Sequence, residues 1–544
     1  MLQYSLLTDG LFNVKLPISG EAVCLSLPQV LARLSEGQDL TFTSLRPHQA
    51  PAWHAFLVQL GFLALDEHDA PVIEAAAEEW VARLLALTAG QGDEAAWCLL
   101  NTNWQLPAFL QPPCSAARVA DYKHSAESAQ DIDVLVTARH HDEKTGKLPL
   151  AATSLDSLVY ALVTMQGWSS FMGRGNYNTM RMNGGFSSRP QFRLIYEPRG
   201  SGPEFLRDLQ ALLDAVDGLV SEGGKLHIGT GRDVPHKLLW LLPWETGSLP
   251  VDAVHPLCLE VCRRVRLVIE GDGGQLLLRR ASSDGMRVDA KHLAGCVMDP
   301  WVPILIEGTP KALTAQAHTL SYRSLQMLLF DRTKVALPRL ARPSERERRG
   351  NRNATLCAQV LVSGDGRTDG FLRREIKMSA PVLARLVSAE AAVAMRAQLF
   401  VDMAGQASGK AYRSALLQFV DGSDDVDWKN RDFTRAVEPW TDRFEQAIDE
   451  AFFSTLFGTV EADFDDLRAQ QIWAKWLDYT ARAHLAAAVQ SLPTRERSRL
   501  FAQDRAERFL NSSLNKHFGA LRTSAVAVPV DVVALPSAQE LVHD

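Results

Sequence analysis

The chain has 544 residues, 46% of them hydrophobic and 22% charged, and carries a net charge of −7. That length exceeds one ordinary core and favours two or more domains, and no uninterrupted apolar run reaches the roughly 20 residues that span a bilayer. The negative total excludes a protein coated in positive charge, but exposed charges are screened beyond about 8 Å at physiological salt, so their local distribution decides whether nucleic acid is bound.

The opening Met1-Leu2-Gln3-Tyr4 shows neither the basic region nor the apolar core of a secretion signal, and seven scattered cysteines make no even disulfide framework. A reducing cytoplasm is therefore the expected location. Leu11 to Leu16 and Glu21 to Ser26 read as two short strands across a turn at Gly20, and Pro28 is placed to start a helix through Leu34. Two longer helical patterns follow, Pro47 to Leu65 and Pro71 to Leu87; in the second, Val72, Ala76, Trp80, Leu84 and Leu87 are spaced to line one face.

Ile132 to Thr137 has the branched residues of a strand and runs into the polar segment Arg139-His140-His141-Asp142-Glu143-Lys144, expected as a loop leaving a sheet. A helix then begins after Ser154, a fitting N-cap, with Leu155, Leu158, Val159 and Leu162 on one face. It ends before Gly173-Arg174-Gly175-Asn176. From Gln166 to Arg199 the chain carries five arginines (Arg174, Arg181, Arg189, Arg193, Arg199) against one acid, Glu197.

From about Phe186 to Glu375 short apolar runs (Leu238 to Leu242, Val265 to Ile269, Gln275 to Leu278, Val302 to Ile306, Gln359 to Val362) alternate with Gly and Asp turns. Within this stretch, Asp331 to Asn353 holds eight basic residues against three acidic ones, and Pro338 and Pro343 argue against one continuous helix. Such a run reads either as a mobile basic strap or as a solvated surface loop partly neutralised by Glu345 and Glu347. After Ser379 the pattern turns helical. The expected fold class is α+β: a large irregular mixed domain over residues 1–380, a C-terminal four-helix bundle over 385–520, and a loosely held tail over 525–544.

Familiar catalytic signatures are missing. None of the Gly-Lys pairs at 146, 224 and 409 is followed by Ser or Thr, so there is no phosphate-binding P-loop. The dinucleotide fingerprint is incomplete because Asn178 stands where its third glycine belongs. Cys258 and Cys262, with His255, His292 and Cys296, offer zinc ligand types, although Leu257, Leu259 and Val261 suggest buried structural cysteines instead. His140, His141 and Asp142, with His124 upstream, could bind the metal of a nuclease, or simply form a solvated loop.

What the sequence does supply is a pair of glycine-rich turns. Gly173, Gly175, Gly184 and Gly185 allow close backbone approach because glycine lacks Cβ and tolerates positive φ. Arg174, Asn176, Tyr177, Asn178, Arg181 and Asn183 add charge, directional hydrogen bonds and a stacking surface. A backbone-led loop of this kind fits a duplex minor groove about 6 Å wide, where a helix does not enter. A buried turn is the alternative reading of the same glycines.

The run Asp133-Val134-Leu135-Val136-Thr137-Ala138-Arg139-His140-His141-Asp142-Glu143-Lys144, then Gly173-Arg174-Gly175-Asn176-Tyr177, then Arg181-Met182-Asn183-Gly184-Gly185-Phe186-Ser187-Ser188-Arg189-Pro190, resembles the CasA family, the large subunit of the type I-E CRISPR surveillance complex, Cascade. Leu6 to Phe12, Asp299-Pro300-Trp301-Val302-Pro303 and the aromatic C-terminal helices are similar to that family as well. The resemblance implies a non-catalytic subunit without cofactor or resident metal. Its partners would be double-stranded target DNA, the backbone and small subunits of a crRNA-containing complex, and a recruited helicase-nuclease.

By the same resemblance, Gly173, Arg174, Gly175, Asn176, Arg181 and Asn183 would read the protospacer-adjacent motif, while Arg139, His140, His141 and Lys144 would contact the guide-bearing complex or the target. Lys291 would serve as the family's lysine finger, and Arg367 or Thr368, in the turn Gly364 to Gly370, would replace the glutamine of its strand-parting wedge. Base pairing with the guide would then read the remaining sequence. The bundle would follow a separated strand and present a landing surface for the helicase-nuclease. Two other functions stay open on sequence alone: a metal-dependent nuclease centred on His140, His141 and Asp142, and a purely architectural subunit.

Overall fold

The structure is a computed structural model and describes residues 2–66, 72–126, 132, 153–185, 187–215, 236–270, 275–364, 367–388, 391–423 and 425–522. It is mixed helix and strand with C-terminal helices, and it divides into two units. The first comprises Met1–Leu320, Thr333–Gly350 and Ala354–Glu375; the second comprises Ser321–Arg332, Asn351–Asn353 and Ile376–Asp544. The short helix Tyr322–Phe330 thus sits with the C-terminal helices rather than with the region that precedes it in sequence, because Tyr322 caps onto Asp449 (N to Oδ1, 2.5 Å) and packs on Phe452 at 4.9 Å.

In the first unit the helix Ala50–Leu65 is apolar almost all round, and a helix of that kind is stable only in an interior. Trp53 stacks on Phe56 at 5.5 Å and meets Tyr160 of the helix Leu155–Trp168 edge-on at 5.1 Å. At Gly61 a Cβ would come within 3.2 Å of Phe205, so glycine lets the helix Ser201–Leu213 lie close against it. One three-stranded sheet is built from Gln191–Tyr196, Ala354–Gly364 and Arg367–Met378, with Ala354–Gly364 in the middle. Its antiparallel register runs from Ala354 opposite Tyr196 to Gln359 opposite Gln191, and a further bridge joins Ser187 to Val362. A second sheet pairs Arg264–Glu270 with Gln275–Ala281 and the latter with His124–Ala126.

Several expected elements are shorter than their patterns. The helix expected from Pro47 starts at Ala50, and the one expected over Pro71 to Leu87 covers only Ala77–Ala86, leaving Val72 65% exposed outside it. Leu239–Leu241 is a 3₁₀ turn, and the Val302 to Ile306 run contributes only Ile304–Leu305 to a strand. Within the segment Gly364 to Gly370 expected as a turn, Arg367 already begins the strand Arg367–Met378. Of the strand expected at Ile132 to Thr137, only Ile132 lies within the described residues.

The second unit is organised around four long helical runs. The first is Ala391–Gly405 continued through a π-helical segment, Gln406–Tyr412, into Arg413–Asp421; the others are Arg431–Glu461, Asp466–Ser491 and Arg499–Arg522. Asn430 caps the second by accepting from the backbone of Asp432 and Phe433, and Asp465 caps the third through Arg468 at 2.7 Å. Phe400 lies flat on Trp473 at 5.4 Å and Trp473 on Trp476 at 4.9 Å, joining two of the runs through one aromatic stack. Among the described residues no helix is long and apolar enough to cross a membrane.

Candidate nucleic-acid interface

Leu155–Trp168 is followed by two successive turns whose four glycines all take positive φ: 94° at Gly173, 85° at Gly175, 78° at Gly184 and 81° at Gly185. In the first turn Asn176 N donates to Gly173 O at 3.0 Å, and Met172 N donates to Asn176 O at 3.0 Å. The Gly175 carbonyl accepts from both the backbone N and the Oγ of Ser283, at 3.1 and 3.2 Å. A Cβ on Gly175 would sit 2.8 Å from Ser282 Cβ, whereas one on Gly173 would meet nothing within 4 Å. Gly175 is therefore packed and Gly173 is open. Arg174 and Asn176 between and beside them are exposed.

Buried Arg263 holds the flanks of this turn. It donates to Ser170 O at 2.9 Å and to Tyr177 O, while Tyr177 leans on Phe171 with ring centroids 5.9 Å apart. Asn178 turns inward and donates to the carbonyls of Thr179 and Met182, both at 3.1 Å, closing the link to the second glycine pair.

A cleft of about 640 Å³ opens beside the second pair. Asn183, Gly184 and Gly185 line one part of it, Phe171, Tyr177 and Met182 an aromatic and apolar part, and Asp284, Asp289 and Lys291 a charged part. Lys291 begins the 3₁₀ turn Lys291–Leu293, which ends at Ala294 in a left-handed conformation (φ 48°). Gly295 follows with φ 81°, and a Cβ there would stand 3.0 Å from Met182 C and 3.1 Å from Arg181 O. The lysine turn is thus seated directly on the backbone of the glycine-rich segment.

The structure corrects one site residue outright. Arg181 does not face a ligand: it is 2% exposed and pairs with Glu260 at 3.0 Å, with the carbonyls of Pro256 and Cys258 at 2.8 and 2.9 Å. Arg189 and Arg193, part of the same arginine-rich stretch, are likewise buried in ion pairs with Asp299 and with Glu204 and Asp208. Gly173, Arg174, Gly175 and Asn176 form a turn separate from the cleft lining, to which Tyr177 connects them, and Asn183 and Lys291 share the cleft. Arg367 and Thr368 lie at the start of their strand. Arg139, His140, His141, Asp142 and Lys144 lie outside the described residues.

Asp331 to Arg352 is not a mobile strap. Leu340 and Ala341 are buried, Ser344 caps the helix Glu345–Arg349, and Arg207 grips the segment through Leu340 O at 2.8 Å, Arg342 O at 3.1 Å and Glu347 at 2.8 Å. Glu347 therefore faces Arg207 and does not neutralise the exposed Arg346, Arg348 and Arg349. Cys258 and Cys262 are buried thiols, each pushed up to about 11 by that burial, and Cys262 donates to Met165 O at 3.2 Å. Among the described residues no group of three or more His, Cys, Asp and Glu is placed to hold a metal ion.

No protein-family model matches the chain, and no curated protein sequence matches it. Solved structures do. The CRISPR-associated protein Cse1 from Acidimicrobium ferrooxidans superposes with a TM-score of 0.61 at 16% identity, covering 95% of this chain and 99% of that one. CasA (Cse1) from Thermus thermophilus gives 0.60 at 14% identity over 95% and 100%. The chain has the Cse1 fold. A chain of a CRISPR RNA-guided surveillance complex gives 0.50 at 13% identity over 94% and 100%. At these identities the likeness is one of fold, and because it spans nearly the whole chain, both units belong to the Cse1 architecture. Asp284, Asp289, Ser283, Arg263 and Gly295 were not singled out from the sequence: each lies more than 75 residues from the glycine turns in the chain, and no local pattern marks them.

Proposed function

We propose that this chain is the large, DNA-reading subunit of an RNA-guided type I-E surveillance complex, and that its glycine turns and Lys291 test a short duplex motif before the guide pairs with the target. The observation that carries the reading is the convergence of Asn183, Gly184, Gly185 and Lys291 on one cleft, next to the Gly173–Asn176 turn with its exposed Arg174 and Asn176, in a chain with the Cse1 fold. Phosphate contact falls to exposed Arg174. Asp284 and Asp289 make the cleft itself a poor place for a phosphate and suit it to groups that donate hydrogen bonds, such as base edges.

In this mechanism the subunit binds a duplex through its backbone, interrogates the motif through glycine N–H groups, Asn176, Asn183 and Lys291, and leaves the rest of the sequence to base pairing. Arg367 or Thr368 at the hairpin would help part the strands, and the loop bearing Arg139, His140, His141 and Lys144 would meet the guide-bearing complex. The helical unit would receive the helicase-nuclease. The double substitution Arg174→Ala with Asn176→Ala is expected to weaken motif-dependent binding of the guide-loaded complex at least tenfold, about 1.4 kcal/mol, measured by equilibrium titration of labelled duplex. Unchanged binding by that variant would remove the turn from the site.

A further inference from the structure

Arg181 and Arg189 flank the second glycine pair in sequence, yet both are withdrawn into the interior with Glu260 and Asp299. Arg181 donates to Glu260 Oε2 at 3.0 Å and stands 3.6 Å from Asp299 Oδ2; Arg189 pairs with Asp299 and lies over Trp168 at 4.4 Å and Trp301 at 5.0 Å. All four side chains are at most 3% exposed. Burial holds the Glu260 carboxyl above its usual range, against the pull of Arg181. Each ion taken out of water costs several kcal/mol, and apolar residues of the same volume often serve stability as well or better. The cluster is therefore poorly explained by stability alone.

Its hydrogen bonds are directional, and they hold the backbone that leads into the second glycine pair. Glu260 Oε1 accepts from Met180 N at 2.6 Å, and Arg181 Nη2 holds Pro256 O and Cys258 O, so the segment between the glycine turns is pinned from both side chain and backbone. Asp299 Oδ1 takes Trp301 N at 2.9 Å, and Arg189 Nη1 reaches Gln59 Oε1 at 3.3 Å, tying the cluster to the central helix. The Lys291 turn is tied to one of these residues: Gly295, just beyond that turn, packs on the backbone of Arg181 and Met182 and on Ala312 Cβ.

We infer that the cluster Arg181–Glu260–Asp299–Arg189, with Gly295 seated on its backbone, is the positioning element that fixes Lys291 against the glycine segment and so sets motif discrimination rather than overall DNA affinity. This inference rests on the motif-reading function proposed above. None of these five residues touches the duplex in this account; they act through Asn183, the glycines and Lys291.

The test uses the guide-loaded complex and reads two quantities: affinity for a motif-bearing duplex and affinity for the same duplex with the motif scrambled. Thermal melting of each variant runs in parallel. Replacing the pair by apolar side chains, Arg181→Met with Glu260→Leu, is expected to leave the melting temperature within about 4 °C and the scrambled-duplex affinity within about twofold. The ratio of the two affinities should fall about tenfold, the scale of one misread base pair. Gly295→Ala, which crowds Ala312 Cβ and the backbone of Met182 and Arg181 without removing any charge, should lower the same ratio and covers the case in which the double variant does not fold. Parent-like ratios in folded variants, from a parent that discriminates, overturn the positioning role and leave the proposed function standing. A parent complex that binds both duplexes equally overturns the function and the inference together.

Discussion

Two glycines and two arginines of one short stretch play different parts, and substitution separates them. Arg181→Ala strands Glu260 without its cation in the interior, while Asp299 keeps Arg189, a change that costs about 3–5 kcal/mol; Arg174→Ala, at an exposed site, should alter stability by no more than about 0.5 kcal/mol while weakening duplex binding. Chemical denaturation of both variants checks the contrast. Gly175→Ala combines a φ of 85° with a contact 2.8 Å from Ser282 Cβ, whereas Gly173→Ala meets only the conformational strain at 94°. The first is expected to destabilise more than the second, by about 1 kcal/mol or more. The sequence showed that glycine was needed in this stretch, but not which glycine was packed. An arginine between glycines reads as surface charge, and nothing local reveals that its partners stand 79 and 118 residues further along.

At the scale of elements, periodicity made the helices legible wherever an apolar stripe was continuous, as in Leu155–Trp168 and the long C-terminal runs. It overreached where polar and apolar residues alternate by chance, as around Val72, and it could not show that Tyr479 would be 44% exposed on a helix whose Trp473 and Trp476 are buried. Strands of two or three residues escaped it because their stability comes from pairing with distant segments. In the helical unit, His484 lies against Tyr412 at 6.3 Å and Phe444 at 5.5 Å, and burial, aided by the charge of Arg443, draws it down to about 4. A histidine that resists protonation when folded takes up its proton more readily when unfolded. Stability is therefore full above about 6.5, the unfolded value, and falls as pH drops toward 4, by about 3 kcal/mol at most. Denaturant midpoints of the chain between pH 7 and 4 should show this slope in the second unit's transition, and His484→Gln should flatten it.

Across the whole molecule, two units with separate cores carry separate duties in the proposed mechanism. The Cse1 fold accounts for the order of the elements, and the residue chemistry in the first unit accounts for the site. The change to C-terminal helices was visible in the change of pattern after Ser379. The return of Tyr322–Phe330 to the helical unit was not, because its anchors, Asp449 and Phe452, are more than 120 residues away. The most direct measurement of the central claim is binding of short duplexes, varied over a three-base motif, to the guide-loaded complex with and without this chain across a salt series. Motif dependence is expected to vanish without the chain and to fall with Lys291→Ala, and Arg174→Ala is expected to reduce the slope of log affinity against log salt by about 0.9, one phosphate contact. Motif-dependent binding that persists at full strength without the chain would contradict that claim and leave the chain an architectural subunit.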